Sequence, residues 1–276
     1  HKHRRRQRQM CIRDSPKAHE HKNNVMNKMR DGIAGLMKKY KVDVIEGEAK
    51  LLPNSQVEIN GETHDATDIL LCTGSSPAIP PISGVELDHV VDSTGILERE
   101  SLPNHLVVVG GGVIGCEFAC MHASVGVPVT VLEAMPEICP NLDAEVSASL
   151  CEGLTKKGVI FKLGAKVESI SADKVTYSDE SGSNELEADL VLVATGRRPN
   201  TKNLGLEDLG LDIDDRGGVR VDARGATNIP GLWAAGDVTG QAWLAHAASR
   251  MAEVVVNNIT GRKDHMRYDS MPAVVY

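Results

Sequence analysis

The chain has 276 residues, 41% of them hydrophobic and 25% charged, which is ordinary for a soluble globular protein of one large or two smaller domains. No run approaches the roughly 18 unbroken apolar residues of a membrane-spanning helix. A net charge of −8 argues against nucleic acid as the main partner, and an aromatic content of 3% calls for an aliphatic core. Residues 1–15 stand apart, with Lys2, Arg4, Arg5, Arg6, Arg8 and Arg13 against Asp14. They carry a net of +5 and leave the rest of the chain at −13. They hold no apolar segment and are not a secretory signal. Residues 7–15 look like translated adapter sequence, so 1–15 is expected to be non-native. Six cysteines, Cys11, Cys72, Cys116, Cys120, Cys139 and Cys151, show no CxxC and no regular framework, which fits a reducing cytoplasm.

In chain order, 19–41 reads as an amphipathic helix, with Val25, Met29, Ile33 and Leu36 at helical spacing. Strand-like runs follow at 42–46, 56–59 and 68–72. The last of them ends at Thr73-Gly74-Ser75-Ser76-Pro77, a loop. From 105 to 196 strands and helices alternate: strand 106–109, helix 113–125, strand 129–132, helix 143–157 and strand 159–163. Asp143 is the expected N-cap of the second helix and Gly158 its stop. Residues 167–187 read as an antiparallel excursion, and 189–193 as a further strand ending at Gly196. The alternation implies a parallel sheet covered on both faces. Later come a short strand meeting a turn at 232–237, a helix over 243–260 and a strand beginning at 272–276.

The run Val107-Val108-Val109-Gly110-Gly111-Gly112-Val113-Ile114-Gly115-Cys116-Glu117 carries most of the chemistry. Gly110, Gly112 and Gly115 fit G-x-G-x-x-G between a strand and a helix. The first glycine makes the tight turn, the second admits a pyrophosphate, and the third lets helix and strand pack closely. Glu133 ends the next strand, where a carboxylate accepts the ribose 2′- and 3′-hydroxyls and repels a 2′-phosphate. NAD is therefore expected rather than NADP. Cys116 and Cys120 lie one helical turn apart; a redox or metal role is open, and burial against the sheet is favoured. Gly236-Asp237 follows a short strand, where an Asp can reach a ribitol hydroxyl. Cys72-Thr73-Gly74 and Ala194-Thr195-Gly196 both end apolar strands and suggest two nucleotide-binding units, one inserted in the other.

Taken together, these segments resemble the two-dinucleotide flavoprotein disulfide reductases, and among them the dihydrolipoamide dehydrogenases. The matching stretches include 71–77, 107–117, 129–133, 141–145, 194–200, Thr227-x₈-Gly236-Asp237 and 244–246. The resemblance implies an α/β fold in which a Rossmann-like NAD domain is inserted into an incomplete FAD domain. It implies 16–98 as part of the first FAD segment, 99–200 as the NAD domain, 201–267 as the second FAD segment and 268–276 as the start of a dimerisation domain. NAD would be held by Gly110, Gly111, Gly112, Val113, Ile114, Gly115, Cys116, Glu117, Glu133, Val167 and Gly196. FAD would be held by Thr73, Gly74, Ser75, Asp237, Trp243, Leu244, Ala245 and His246. Glu117 would also pair with a lysine beside the flavin, and His246 is read as positional.

The family's reaction oxidises dihydrolipoamide through a CxxxxC disulfide and FAD, with NAD+ accepting a hydride. No pair of cysteines in this chain has that spacing, and the family's catalytic His and Glu lie in the dimerisation domain. No catalytic residue and no metal ligand is assigned. The chain is read as an internal fragment, inactive alone. The partner implied is the lipoyl domain of a 2-oxoacid dehydrogenase or glycine cleavage complex, for a homodimeric parent enzyme. Alternatives are glutathione, mercuric or coenzyme A disulfide reductases, a soluble transhydrogenase, and a non-enzymatic NAD-binding redox sensor.

Overall fold

The strand pattern of residues 106–193 folds into a five-stranded, wholly parallel sheet in the order Val90–Val91, Leu190–Val193, Leu106–Val109, Val129–Glu133, Val159–Leu163. A computed structural model describes residues 15–276, so the basic head read as non-native lies outside the described residues. The described chain forms two compact units. One comprises the helix Ser15–Lys39 with residues 77–196 and 275–276, and the other residues 40–76 and 197–274.

In the first unit the pleat sorts the apolar residues. Successive strand side chains point to opposite faces, so strands buried on both sides read as unbroken apolar runs. Leu106 and Val108 share one core with Cys116, Ala119, Val131, Leu154 and Leu192, which includes residues of the helices Val113–Ser124 and Ala144–Lys156. Val107 and Val109 share the other with Val167, Val175 and Tyr177 of an antiparallel sheet, Lys166–Ile170, Lys174–Asp179 and Gly182–Glu187. The expected antiparallel excursion is thus the second cover of the sheet. Asp143 caps its helix, its carboxylate accepting the Glu145 N–H at 3.0 Å. Gly158 follows that helix at φ +95°.

Residues Val90–Val91 extend the sheet beside Val191 and Leu192. The compact unit therefore takes in residues from 77 onward, ahead of position 99. The helix Ser15–Lys39 is tied by Lys22, whose ammonium donates to the Glu98 carboxylate and the Leu97 carbonyl, both at 2.9 Å. Its stripe of Val25, Met29, Ile33 and Leu36 is exposed.

In the second unit Ile69–Leu71 pairs in parallel with Leu232–Ala234. Ala49–Leu52, Gln56–Ile59 and Glu62–Asp65 form an antiparallel sheet. Leu51, Leu71, Leu206, Val219, Leu232 and Val238 make one core, and Met251, Val254 and Val255 of the helix Ala245–Ile259 make another with Ala235 and Met266. Two expected strands do not form. Residues 42–46 are exposed and irregular, and 272–276 follow a short 3₁₀ turn at Tyr268–Ser270 without strand geometry. Apolar content alone does not make a strand; backbone partners are needed, and neither segment has a ladder neighbour among the described residues. Among the described residues no helix is long and apolar enough to cross a membrane.

Candidate functional site

The three motif glycines have three different surroundings. Gly110 ends its strand at φ +108°, and a Cβ there would stand 2.5 Å from the Ala194 carbonyl oxygen. Gly115, on the first turn of the helix, packs so closely that a Cβ would run into the Gly110 carbonyl, with Val108 Cγ1 at 3.2 Å. Gly112 is the opposite case: a Cβ would meet nothing within 4 Å. It is the N-cap of Val113–Ser124 and offers no side-chain cap to the helix. First-turn N–H groups without such a cap, beside open space, suit a phosphate. The turn and packing glycines are thus hemmed in by protein, and Gly112 borders an open cradle.

Glu133 closes the side of this cradle. Its carboxylate accepts the Gly111 N–H at 2.5 Å on one oxygen and the Met135 N–H at 2.7 Å on the other. A carboxylate has about four acceptor sites, so two backbone bonds orient it and leave capacity for two hydroxyls. Gly111 must itself be small, because a Cβ there would lie 3.0 Å from Glu133 Cβ and 3.2 Å from Oε2. This bond between the loop and the strand end, 22 residues apart, has no signature in the motif spacing.

Other residues of the expected NAD set fall into two groups. Val113 is exposed at the loop, and Ile114 is half-buried beside it. Gly196 has φ +127° and open space at its Cβ position, and its carbonyl accepts the Ala78 N–H at 2.9 Å. Cys116 and Val167 are 1% and 7% exposed, with side chains in the two cores, so what they can present to a ligand is backbone. The Glu117 carboxylate accepts the Tyr276 N–H at 3.1 Å.

In the second unit a hydrogen-bonded staple joins the two loops that the sequence sets far apart. Thr73 Oγ1 donates to the Asn200 carbonyl at 2.7 Å, Asn200 Nδ2 to the Thr73 carbonyl at 2.9 Å, and the Asn200 N–H to the Gly74 carbonyl at 2.9 Å. Ser75 Oγ donates to the Asp237 carboxylate at 2.6 Å while accepting from Arg197 Nε at 2.7 Å. Arg197 also donates to the Ser75 carbonyl at 2.8 Å and lies 4.0 Å from Asp237. Arg197 and Asn200 carried no assigned role in the sequence, although they stand in the matched stretch 194–200. Thr227 of the second motif bends the chain, its hydroxyl donating to the Leu232 carbonyl at 2.8 Å. That turn returns the strand whose end presents Asp237.

The helix Ala245–Ile259 begins at Leu244, whose side chain makes no cap bond, after the exposed Trp243. Its first-turn N–H groups, including those of Ala245 and His246, have no side-chain cap. A ring nitrogen of His246 stands 2.9 Å from the Pro272 carbonyl, so it carries the proton and holds the ring in place. No group of three or more potential metal ligands occurs among the described residues.

A parallel sheet with a glycine loop at the exit of one strand and a carboxylate at the exit of the next defines a dinucleotide-binding α/β protein. The chain belongs to the pyridine nucleotide-disulphide oxidoreductase family, whose profile matches residues 2–252. It is 37% identical over 270 residues to a dihydrolipoyl dehydrogenase of Chlamydia muridarum, a match covering 95% of this chain and 58% of that protein. Dihydrolipoyl dehydrogenase 3 of Pseudomonas putida is 40% identical over 258 residues, covering 89% and 55%. Among solved structures, LpdA from Mycobacterium tuberculosis superposes with a TM-score of 0.87 at 27% identity, over 95% of this chain and 60% of that one. The HOCl-induced flavoprotein disulfide reductase RclA from Escherichia coli gives 0.84 at 32%, over 97% and 62%. The chain thus spans under two thirds of the length of these relatives.

Proposed function

We propose that this chain serves the NAD-linked oxidation of dihydrolipoamide, with NAD(H) on the Gly110–Gly115 loop and FAD against the stapled loops of the second unit. The observation that carries this reading is the Gly112 cradle beside the oriented Glu133 carboxylate. The helix N-terminus after Gly112 takes the pyrophosphate. Glu133 accepts the ribose hydroxyls and repels a 2′-phosphate, selecting NAD over NADP. FAD, when bound, supplies the two-electron carrier between a thiol pair and NAD+. Asp237 accepts a ribitol hydroxyl, with Ser75 and Arg197 fixing its rotamer. The uncapped N–H groups from Trp243 to His246 face the flavin. Glu117 and Gly196 complete the nicotinamide side.

The names of the relatives at 37–40% identity support dihydrolipoamide as the substrate. A lipoyl domain of a 2-oxoacid dehydrogenase or glycine cleavage complex is the partner such a substrate implies, for a homodimeric enzyme. Five free cysteines among the described residues favour a reducing, cytoplasmic setting. The test is fluorescence titration of the purified chain with NADH and NADPH, together with a dihydrolipoamide assay. We expect NADH to bind, NADPH to bind more weakly, and no turnover from a sequence without a CxxxxC pair. Equal affinity for the two nucleotides would overturn the role of Glu133. Turnover would overturn the reading of the chain as inactive alone.

A further inference from the structure

Behind the glycine loop, two thiols converge on one peptide. Cys116, on the first turn of the helix, and Cys139, in the segment after the Glu133 strand, are 1% and 3% exposed, and their sulfurs lie 3.9 Å apart. Both sulfurs face the Gly111 carbonyl, at 3.3 and 3.6 Å, and the Cys139 N–H donates to that carbonyl at 2.9 Å. Gly111 is the residue whose N–H holds Glu133. Cys139 sits at φ +45°, in the left-handed region that side chains disfavour. It is pinned on both sides, since its own carbonyl accepts the Ser147 hydroxyl at 3.1 Å and the Leu142 N–H at 2.9 Å. Strain of this kind, held by surrounding bonds, concentrates at functional sites.

We propose that Cys116 and Cys139 form a reversible disulfide under hydroperoxide stress, and that closing it weakens NAD(H) binding by displacing the Gly111 peptide and with it Glu133. The second half of this inference rests on the NAD reading of the loop; the first does not. A disulfide brings the sulfurs to about 2.05 Å, so they must close by nearly 2 Å. The pinned Cys139 backbone gives little, and the carbonyl between the sulfurs loses both thiol donors.

The chemistry balances. The Cys139 thiolate attacks a peroxide oxygen, the O–O bond breaks, and a sulfenic acid and one water form. The Cys116 sulfur then attacks the Cys139 sulfur, the S–O bond breaks, and a second water leaves as the S–S bond forms. Two thiols lose two electrons and two protons, and hydrogen peroxide gains them as two waters. Its pairing with the Cys116 side chain holds the Cys139 thiol below its usual range, and the same pairing together with burial pushes Cys116 up. Cys139 is therefore the attacking sulfur. Exposed residues 134–137 and 140–141 flank the buried Ile138 and Cys139, and local opening there would admit an oxidant this small.

The test uses the full chain, reduced and desalted, treated with hydrogen peroxide and then alkylated. Peptide mapping should find Cys116 joined to Cys139, with both restored by dithiothreitol. NADH titration should show an affinity about tenfold lower after oxidation, the scale of one lost hydrogen bond to a charged group. Cys139→Ser should keep the reduced protein's NADH affinity and lose its sensitivity to peroxide. A Cys120→Ser/Cys151→Ser variant should retain that sensitivity. A cross-link between other cysteines, oxidation confined to the exposed Cys72, or a Cys116–Cys139 link that leaves NADH affinity unchanged would each overturn the proposal. If the reduced chain fails to bind NADH, the proposed function falls, while mapping still decides whether the thiol pair closes.

Discussion

Gly111 and Glu133 hold each other in place: the Gly111 N–H donates to the Glu133 carboxylate at 2.5 Å, and the absence of a side chain at 111 leaves room for Glu133 Cβ. The carboxylate proposed to select the nucleotide is thus oriented by the loop proposed to hold the phosphates. Glu133→Ala should weaken NADH by about tenfold, the scale of lost hydrogen bonds to a charged group, and bring NADPH close to NADH. Gly111→Ala should do part of the same by pushing Glu133 aside, with the fold kept. Parallel titrations with the two nucleotides check this, and an unchanged NADH preference in Glu133→Ala would contradict it.

The motif glycines should separate under mutation. At Gly112 an added methyl meets nothing in the protein, so Gly112→Ala should leave the melting temperature nearly unchanged while NADH binding collapses. At Gly115 the methyl meets the Gly110 carbonyl, which cannot retreat without moving the strand end. Gly115→Ala should cost about 1–3 kcal/mol of stability, the usual range for overpacking. Thermal unfolding and NADH titration of both variants decide the matter. A Gly112→Ala protein as unstable as Gly115→Ala would show that the open cradle is not there.

Much of this architecture could be read from the residues, and the exceptions have physical causes. The runs at 106–109, 129–133 and 190–193 are legible because a parallel sheet buried on both faces leaves no polar alternation. Asp143 and Gly158 are legible because helix ends need particular residue types. Val90–Val91 was not, since two residues carry no period. Residues 42–46 misled because apolar content looks the same with or without a neighbour to pair with. The Gly111–Glu133 bond and the Ser75–Arg197–Asp237 chain were hidden for another reason. They join residues brought together only by the fold, 22 to 162 positions apart.

Ser75 is the middle of a three-residue relay, donating to Asp237 and accepting from Arg197. Removing its hydroxyl leaves a carboxylate and a guanidinium 4.0 Å apart, with no group between them. Ser75→Ala should lower stability by about 1–2 kcal/mol, the range for hydrogen bonds to charged groups at a half-buried site. It should also weaken binding of added FAD, because Asp237 is free to turn onto Arg197. Urea unfolding and flavin fluorescence test the two effects, and a variant that binds FAD as tightly as the parent would remove Ser75 from the site.

His122 sets a pH dependence that can be given a sign. Its side chain is buried, and Nδ1 stands 2.8 Å from the Phe118 carbonyl. Because a carbonyl only accepts, Nδ1 carries the proton and the neutral ring keeps Nε2 bare. Burial holds the imidazole below its ordinary value near 6.5, with the Phe118 hydrogen bond opposing that shift. Between the lowered folded value and 6.5, the unfolded chain binds a proton that the folded chain does not. The contribution of the neutral ring is therefore complete above about pH 6.5 and is lost as the pH falls through that window. Unfolding measured from pH 7.5 to 5 should show a decline that is shallower in His122→Gln, which cannot take up the proton. Parallel declines in the two proteins would show that the buried imidazole does not govern acid sensitivity.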